Sequence, residues 1–268
     1  MISAMTHGTE AVRMEGLGKV YPNGIRALAD VSLSVREGEF LGVLGLSGSG
    51  KSTLLRCINR LIDPTEGRIW LFGTEVTALA GAPLRAARRQ VGMIFQQFNL
   101  VRRHSVLINV LSGSLGRCGM ARSLLLSFPS EEIARARAAL EQVGLGDRAD
   151  SRSDALSGGQ QQRVGIARAL MQQPRIILAD EPVASLDPAL RHSVMRHIEA
   201  LNQSGLTVLC SLHDVDLVQR YATRVVALRE GRLVWEGGPD RLTPATFKEI
   251  YGQEAEPASN TSLTERAS

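Results

Sequence analysis

Gly45-Leu46-Ser47-Gly48-Ser49-Gly50-Lys51-Ser52-Thr53 decides how the 268-residue chain is read. It follows the unbroken apolar run at residues 40–44, which has the character of a strand buried on both faces. It precedes a pattern that predicts a helix over residues 51–61. The stretch fits G-x-x-x-x-G-K-[ST] in the strand–loop–helix setting that this pattern needs. Glycines let the chain curl until several backbone N–H groups face one anion, and the start of the helix adds positive potential. Lys51 is then placed to reach the β- and γ-phosphates of a nucleotide, and the Ser52 hydroxyl to ligate Mg²⁺. A flexible Ser/Gly loop would explain the glycines but leaves Lys51 and Ser52 to chance.

On either side the chain alternates between strand and helix patterns. Residues 27–35 place Leu28, Val31, Leu33 and Val35 on one face of a strand, and Glu37-Gly38-Glu39 is a turn. Asp63-Pro64-Thr65-Glu66-Gly67 closes the helix, and residues 68–72 return as a strand. From about 100 to 154 the pattern is mostly helical. Ser130 with Glu131 and Glu132 marks a helix start, Ile133, Ala136, Leu140 and Val143 share a face, and Gly144 is a stop. Residues 112–129 are weakly patterned and read as a flexible insertion. After Ser157 helices are predicted at 160–172, 190–203 and 216–221, and strands at 176–179 and 206–211. Residues 225–228 and 232–236 form a strand pair around Glu230-Gly231. Residues 253–268 are polar and read as a disordered tail. The rhythm is that of an α/β core interrupted by a helical subdomain, with no internal repeat.

A nucleotide site needs a carboxylate beside its metal. Asp180 and Glu181 follow the buried strand 176–179, where Asp180 can orient the Mg²⁺ shell and Glu181 can polarise a water for in-line attack.

Composition narrows the class. Charged residues make up 22% and the hydrophobic set 44%, which excludes disordered and collagen-like chains. No run approaches the length needed to cross a bilayer, and the first twelve residues lack the pattern of a secretory signal. Cys57, Cys118 and Cys210 are few, odd in number and far apart, which fits a reducing compartment rather than disulfides or zinc. The formal charge is +4; lysine occurs only at 19, 51 and 248, and the arginines are scattered rather than gathered in a stripe. Nucleic acid is therefore not an expected partner.

Ala155-Leu156-Ser157-Gly158-Gly159-Gln160-Gln161-Gln162-Arg163 makes a second anion-binding helix start, which one nucleotide in one chain does not need. With the loop and the carboxylates above, it resembles the signature of ATP-binding-cassette ATPases. The resemblance covers about residues 10–252. It implies a P-loop NTPase core with an antiparallel β subdomain and an inserted α-helical subdomain at about 97–157. It also implies roles for further residues. Tyr21 resembles the aromatic residue that stacks on adenine. Gln96 resembles the glutamine that meets Mg²⁺ and the attacking water. Asp187, in Ser185-Leu186-Asp187, lies in the loop that crosses the dimer interface, and His213 resembles the switch histidine on the γ-phosphate. Ser157, Gly158, Gly159 and Gln160 would contact the ATP held by a second copy of the chain.

The same resemblance implies a head-to-tail dimer, separate transmembrane permease subunits docking near residues 97–129, and an external solute-binding protein reached through them. The location implied is the cytoplasmic face of the bacterial inner membrane. Glu181-Pro182-Val183-Ala184-Ser185-Leu186-Asp187-Pro188, Gln96-Gln97-Phe98-Asn99-Leu100-Val101, Asn109-Val110-Leu111-Ser112-Gly113 and Leu212-His213-Asp214-Val215-Asp216-Leu217 resemble the versions found in phosphonate-importer ATPases. Arg102-Arg103-His104 and Arg117-Cys118-Gly119 depart from that pattern, and they lie in the region expected to dock the permease. Importers of phosphate or polar amino acids are the alternative. A soluble cassette ATPase acting on nucleic acid would carry two cassettes or a long coiled coil, and a P-loop kinase has no use for residues 157–160.

Overall fold

A computed structural model describes residues 9–117 and 128–251. Two sheets carry the chain, and the helix that follows the glycine loop lies between them. The first sheet is antiparallel, in the order β2-β1-β4-β5, built from β1 (Glu10–Val20), β2 (Arg26–Arg36), β4 (Glu66–Leu71) and β5 (Thr74–Glu75). The second contains β3 (Phe40–Leu44), β6 (Val91–Ile94), β7 (Ile176–Asp180), β8 (Thr207–Ser211), β9 (Arg224–Arg229) and β10 (Arg232–Gly237). Its order is β10-β9-β3-β8-β7-β6, parallel throughout except for β10 at the edge.

The burial patterns follow from that arrangement. Every residue of β3, β7 and β8 is buried, as parallel strands covered on both faces must be, whereas β2 alternates. Leu54, Leu55, Cys57 and Ile58 of α1 (Lys51–Ile58) pack with Met14, Leu17, Leu28 and Ile69 of the antiparallel sheet. They also meet Leu41, Val43, Leu178 and Leu209 of the parallel one. The opposite face of the parallel sheet is covered by α5 (Gly158–Leu170), α6 (Pro188–Gln203) and α7 (Val215–Tyr221). That core runs on into α3 (Val106–Leu111) and α4 (Ser130–Gln142). The remaining helices are α2 (Gly81–Arg89) and α8 (Pro244–Tyr251).

Several expectations shift at their ends. The helix predicted over 51–61 stops at Ile58, with Asn59 as its cap and Arg60 left-handed at φ 56°. The guanidinium of Arg88 donates to the carbonyls of Asn59 and Arg60, and the Asn59 side chain accepts from Leu61 N–H, so side chains replace the last helical turn. The strand predicted from 68 begins at Glu66 and ends at Leu71, because Phe72 enters a turn at φ 48°. Helix α5 starts two residues before the predicted position because Ser157 caps it, and α6 starts at Pro188, whose fixed φ suits a first helical position. Helix α4 begins at Ser130 with Pro129 as its cap, and Gly144 N–H closes its end on Glu141 O. Residues 112–114 are a packed 3₁₀ turn rather than part of a loose insertion: Ser114 is fully buried, and a Cβ on Gly113 would fall 2.1 Å from Arg168 O. The rest of that expected insertion, residues 118–127, and the tail at 253–268 lie outside the described residues.

The glycine loop is held by the same packing. Gly50 has φ 106°, and a Cβ there would lie 2.4 Å from Ala27 O. Gly50→Ala is therefore expected to lower unfolding stability by roughly 2 kcal/mol or more, from left-handed strain plus displacement of β2. Urea denaturation checks this, and an unchanged midpoint would contradict the close approach.

Candidate functional site

Four neighbouring parallel strands, β6-β7-β8-β3, bring their C-terminal ends together along one edge of the sheet. In open α/β sheets ligands bind at that edge. Residues 95–98 leave β6, Glu181 leaves β7, residues 212–214 leave β8, and the loop 45–50 leaves β3. Residues from distant parts of the sequence meet there because their strands are adjacent.

The loop closes on itself. Gly45 has φ 149° and could not carry a side chain, since a Cβ would lie 2.3 Å from Leu228 O. Ser49 accepts Gly231 N–H at 3.0 Å, which fastens the loop to the β9–β10 turn. Leu46, Ser47 and Gly48 are exposed at the tip. Lys51 is 3% exposed, and its Nζ donates to Gly45 O at 2.8 Å and Leu46 O at 3.0 Å. Burial pushes the Lys51 pKa below its ordinary value, against the pull of the Glu181 carboxylate at 3.6 Å.

Three groups donate to Asp180, which is 1% exposed. Ser52 Oγ reaches Oδ1 at 2.7 Å, Ser211 Oγ reaches Oδ1 at 3.2 Å, and Arg56 Nη2 reaches Oδ2 at 3.1 Å. These bonds fix the direction of the carboxylate. Glu181, the next residue, turns out of the sheet at φ 47°. Its Oε1 lies 2.5 Å from His213 Nε2. Tyr21 OH lies 3.1 Å from Thr53 Oγ1, so the Tyr21 ring stands at the far end of the loop, with Lys19 Nζ 5.5 Å from its centroid.

The other expected residues make no hydrogen bond to this cluster among the described residues. Gln96 is exposed and lines a groove of about 440 Å³ with Gln97, Phe98, Gln161 and Ser185. No hydrogen bond among the described residues joins it to Ser52 or Asp180. Ser157 caps α5 in a reciprocal box with Gln160: Ser157 Oγ accepts Gln160 N–H, and Gln160 Oε1 accepts Ser157 N–H at 2.9 Å. A Cβ on Gly158 would lie 3.3 Å from Leu186 Cδ2 and one on Gly159 3.2 Å from Leu190 Cδ1, so larger residues would crowd Leu186 and the start of α6. Asp187 is exposed at the start of α6, and its side chain makes no cap bond. No hydrogen bond or ion pair among the described residues links 157–160 to 45–53.

Sequence reasoning missed Arg56, Ser211 and Arg191. Arg191 Nε donates to Leu186 O at 2.9 Å, and Nη1 lies 3.7 Å from Asp214 Oδ2, tying the 185–187 loop to the turn that carries His213. Nothing in local pattern marks Arg56 or Arg191. Ser211 left one signal, a hydroxyl at the end of an otherwise apolar strand.

Comparison with known proteins agrees with this geometry. A family model described as ABC transporter matches residues 28–184. The phosphonates import ATP-binding protein PhnC 2 of Synechococcus sp. (strain JA-2-3B'a(2-13)) is 52% identical over 244 residues, covering 91% of both chains. The protein of that name from Bdellovibrio bacteriovorus is 51% identical over 91% of this chain and 95% of its own. Among solved structures, the ATP-binding cassette MJ0796, a dimer bound to ADP and Pi in a post-hydrolysis state, superposes with TM-score 0.73. It is 35% identical over 85% of this chain and 98% of its own. The cassette MJ1267 matches with TM-score 0.79 and 30% identity over 90% of this chain and 97% of its own. The glycine loop, the buried carboxylate at a strand end, the second capped helix start and these likenesses together place the chain in the ABC transporter family, as an ATP-binding cassette.

Proposed function

We propose that this chain is the ATP-hydrolysing subunit of an importer of phosphonates. The observation that carries the ATPase reading is the meeting of Lys51, Ser52, Asp180, Glu181 and His213 at the ends of adjacent strands. The solute class rests on the relatives that share about half of this sequence and carry the name phosphonates import ATP-binding protein.

ATP would lie with its adenine on Tyr21 and its phosphates in the loop 45–53, where backbone N–H groups and Lys51 face them. The donor set fits Mg²⁺, which prefers one or two protein oxygens alongside phosphate and water over an all-protein cage. Ser52 Oγ and Asp180 Oδ1, 2.7 Å apart, offer such oxygens. No cluster of three or more potential ligands from His, Cys, Asp and Glu occurs among the described residues. Ser52, Asp180 and Gln96 would hold the ion, which when bound neutralises charge on the β- and γ-phosphate oxygens. Glu181 accepts a hydrogen bond, and then the proton, from the attacking water and His213 fixes the direction of its carboxylate, while Lys51 offsets charge gathering on the γ-phosphate.

One copy leaves residues 157–160 away from its own loop. A second copy placed head to tail would bring its Ser157, Gly158, Gly159 and Gln160 to the γ-phosphate, with the Asp187 loops between the copies. Nucleotide would then favour the closed pair and hydrolysis the open one, a two-state element that can drive a permease. No helix among the described residues is long and apolar enough to cross a membrane, so transport would use separate permease subunits, with this chain on their cytoplasmic face.

The test reconstitutes the chain with its permease and solute-binding protein in liposomes. Alkylphosphonates are expected to stimulate ATP hydrolysis, and inorganic phosphate or polar amino acids to do so far less. Stimulation by amino acids alone would overturn the solute assignment.

A further inference from the structure

The hydroxyl of Ser211 joins the Asp180 carboxylate to the backbone N–H of Glu181. Ser211 ends β8, pairs in register with Asp180 on one side and Val43 on the other, and is completely buried. At that point β7 leaves the sheet. The backbone N–H of Glu181 is taken by Ser211 Oγ at 2.9 Å. With that acceptor position filled, the single hydroxyl hydrogen points to Asp180 Oδ1 at 3.2 Å, with Ala179 O the weaker choice at 3.5 Å. One oxygen thus holds the side chain of Asp180 and the main chain of Glu181 at a fixed spacing. It does so where Glu181 sits at φ 47°, a left-handed conformation that needs outside support in a residue other than glycine. The preceding strand positions, Leu209 and Cys210, are also completely buried.

We propose that Ser211 is a positioning residue for ATP hydrolysis: it sets the direction of Glu181 relative to Asp180, so that the water-polarising carboxylate and the metal-side carboxylate act as one rigid unit. The inference rests on the ATPase reading above. Ser211→Ala deletes the bridge. Ser211→Cys keeps volume but replaces the hydroxyl by a weak donor and acceptor, and Ser211→Thr keeps the hydroxyl. The bridge lies behind the phosphate-facing surface, so its loss acts on turnover more than on nucleotide capture.

The experiment measures five quantities for the parent chain and each variant. These are kcat and KM for ATP, affinity for a fluorescent ATP analogue without Mg²⁺, the Mg²⁺ concentration at half-maximal retention of that analogue, and Tm. In Ser211→Ala and Ser211→Cys, kcat is expected to fall about tenfold or more, with KM and Mg²⁺-free affinity within about twofold and the Mg²⁺ midpoint raised about threefold. Ser211→Thr is expected to recover kcat to within about threefold of the parent. The proposal is overturned if Ser211→Ala and Ser211→Cys keep kcat within about twofold, or if Ser211→Thr is as slow as Ser211→Ala and the losses follow Tm. The parent keeps the two ideas apart: if it hydrolyses no ATP, the ATPase reading itself fails, whereas a parent that hydrolyses ATP beside a Ser211→Ala that keeps its kcat overturns only the role of Ser211.

Discussion

With Glu181 replaced by Gln, ATP turnover is expected to fall by roughly 10²–10⁴-fold, the range for loss of a general base. ATP should still bind, because Lys51, Ser52 and the loop N–H groups are untouched. The stalled nucleotide should accumulate a dimer, visible as a shift to twice the mass by size-exclusion chromatography with light scattering when ATP and Mg²⁺ are present. A variant that turns over at the parent rate would remove Glu181 from the mechanism. A second consequence follows from charge. The Lys51 pKa is lowered by burial and raised by Glu181 at 3.6 Å. Removing the carboxylate's charge deletes the larger raising influence and leaves only that of Asp180 against the lowering by burial, so the ammonium is lost at a lower pH in Glu181→Gln. Its ATP affinity should therefore weaken at a lower pH than the parent's as pH is raised, measurable by analogue binding across an alkaline series.

Lys51→Ala is expected to weaken ATP binding by about 10²–10³-fold, as for truncating one partner of a buried charge pair. Two losses add. The γ-phosphate side of the loop loses its cation, and the Gly45 and Leu46 carbonyls lose the donor that reaches them at 2.8 and 3.0 Å. Glu181, whose side chain is 14% exposed, also loses the positive neighbour that offsets its burial. Equilibrium dialysis with labelled ATP reads the first effect. Affinity within a few-fold of the parent would mean that the loop N–H groups alone hold the phosphates, against the role given to Lys51.

Local sequence carried much of the fold. The runs at 40–44, 176–179 and 206–211 read as strands because parallel strands covered on both faces have no polar side to show. Helices α5, α6 and α7 were visible because each carries one apolar stripe. Strand β1 was harder to see: its pairing slips between Met14 and Leu17, so its buried residues do not keep a period of two. Helix α2 has a single buried residue, Ala87, and therefore almost no stripe to detect, while its arginines matter through Arg88 closing the end of α1. The ends of helices shifted wherever a distant side chain replaced a local hydrogen bond.

The site divides in the same way. The order of residues alone determined the phosphate loop, the acidic pair after a buried strand and the second capped helix start, since each is a contiguous pattern whose chemistry depends on neighbours one to five positions away. Only the tertiary structure decided which of these meet. Strand order places β8 between β3 and β7, and that adjacency brings Asp180 to Ser52, Glu181 to His213, and Ser211 to the Asp180 carboxylate and the Glu181 backbone N–H. It also leaves residues 157–160 on another part of the surface. Contacts between residues 30 to 128 positions apart depend on how strands are ordered in a sheet, and no local period in the chain encodes that order.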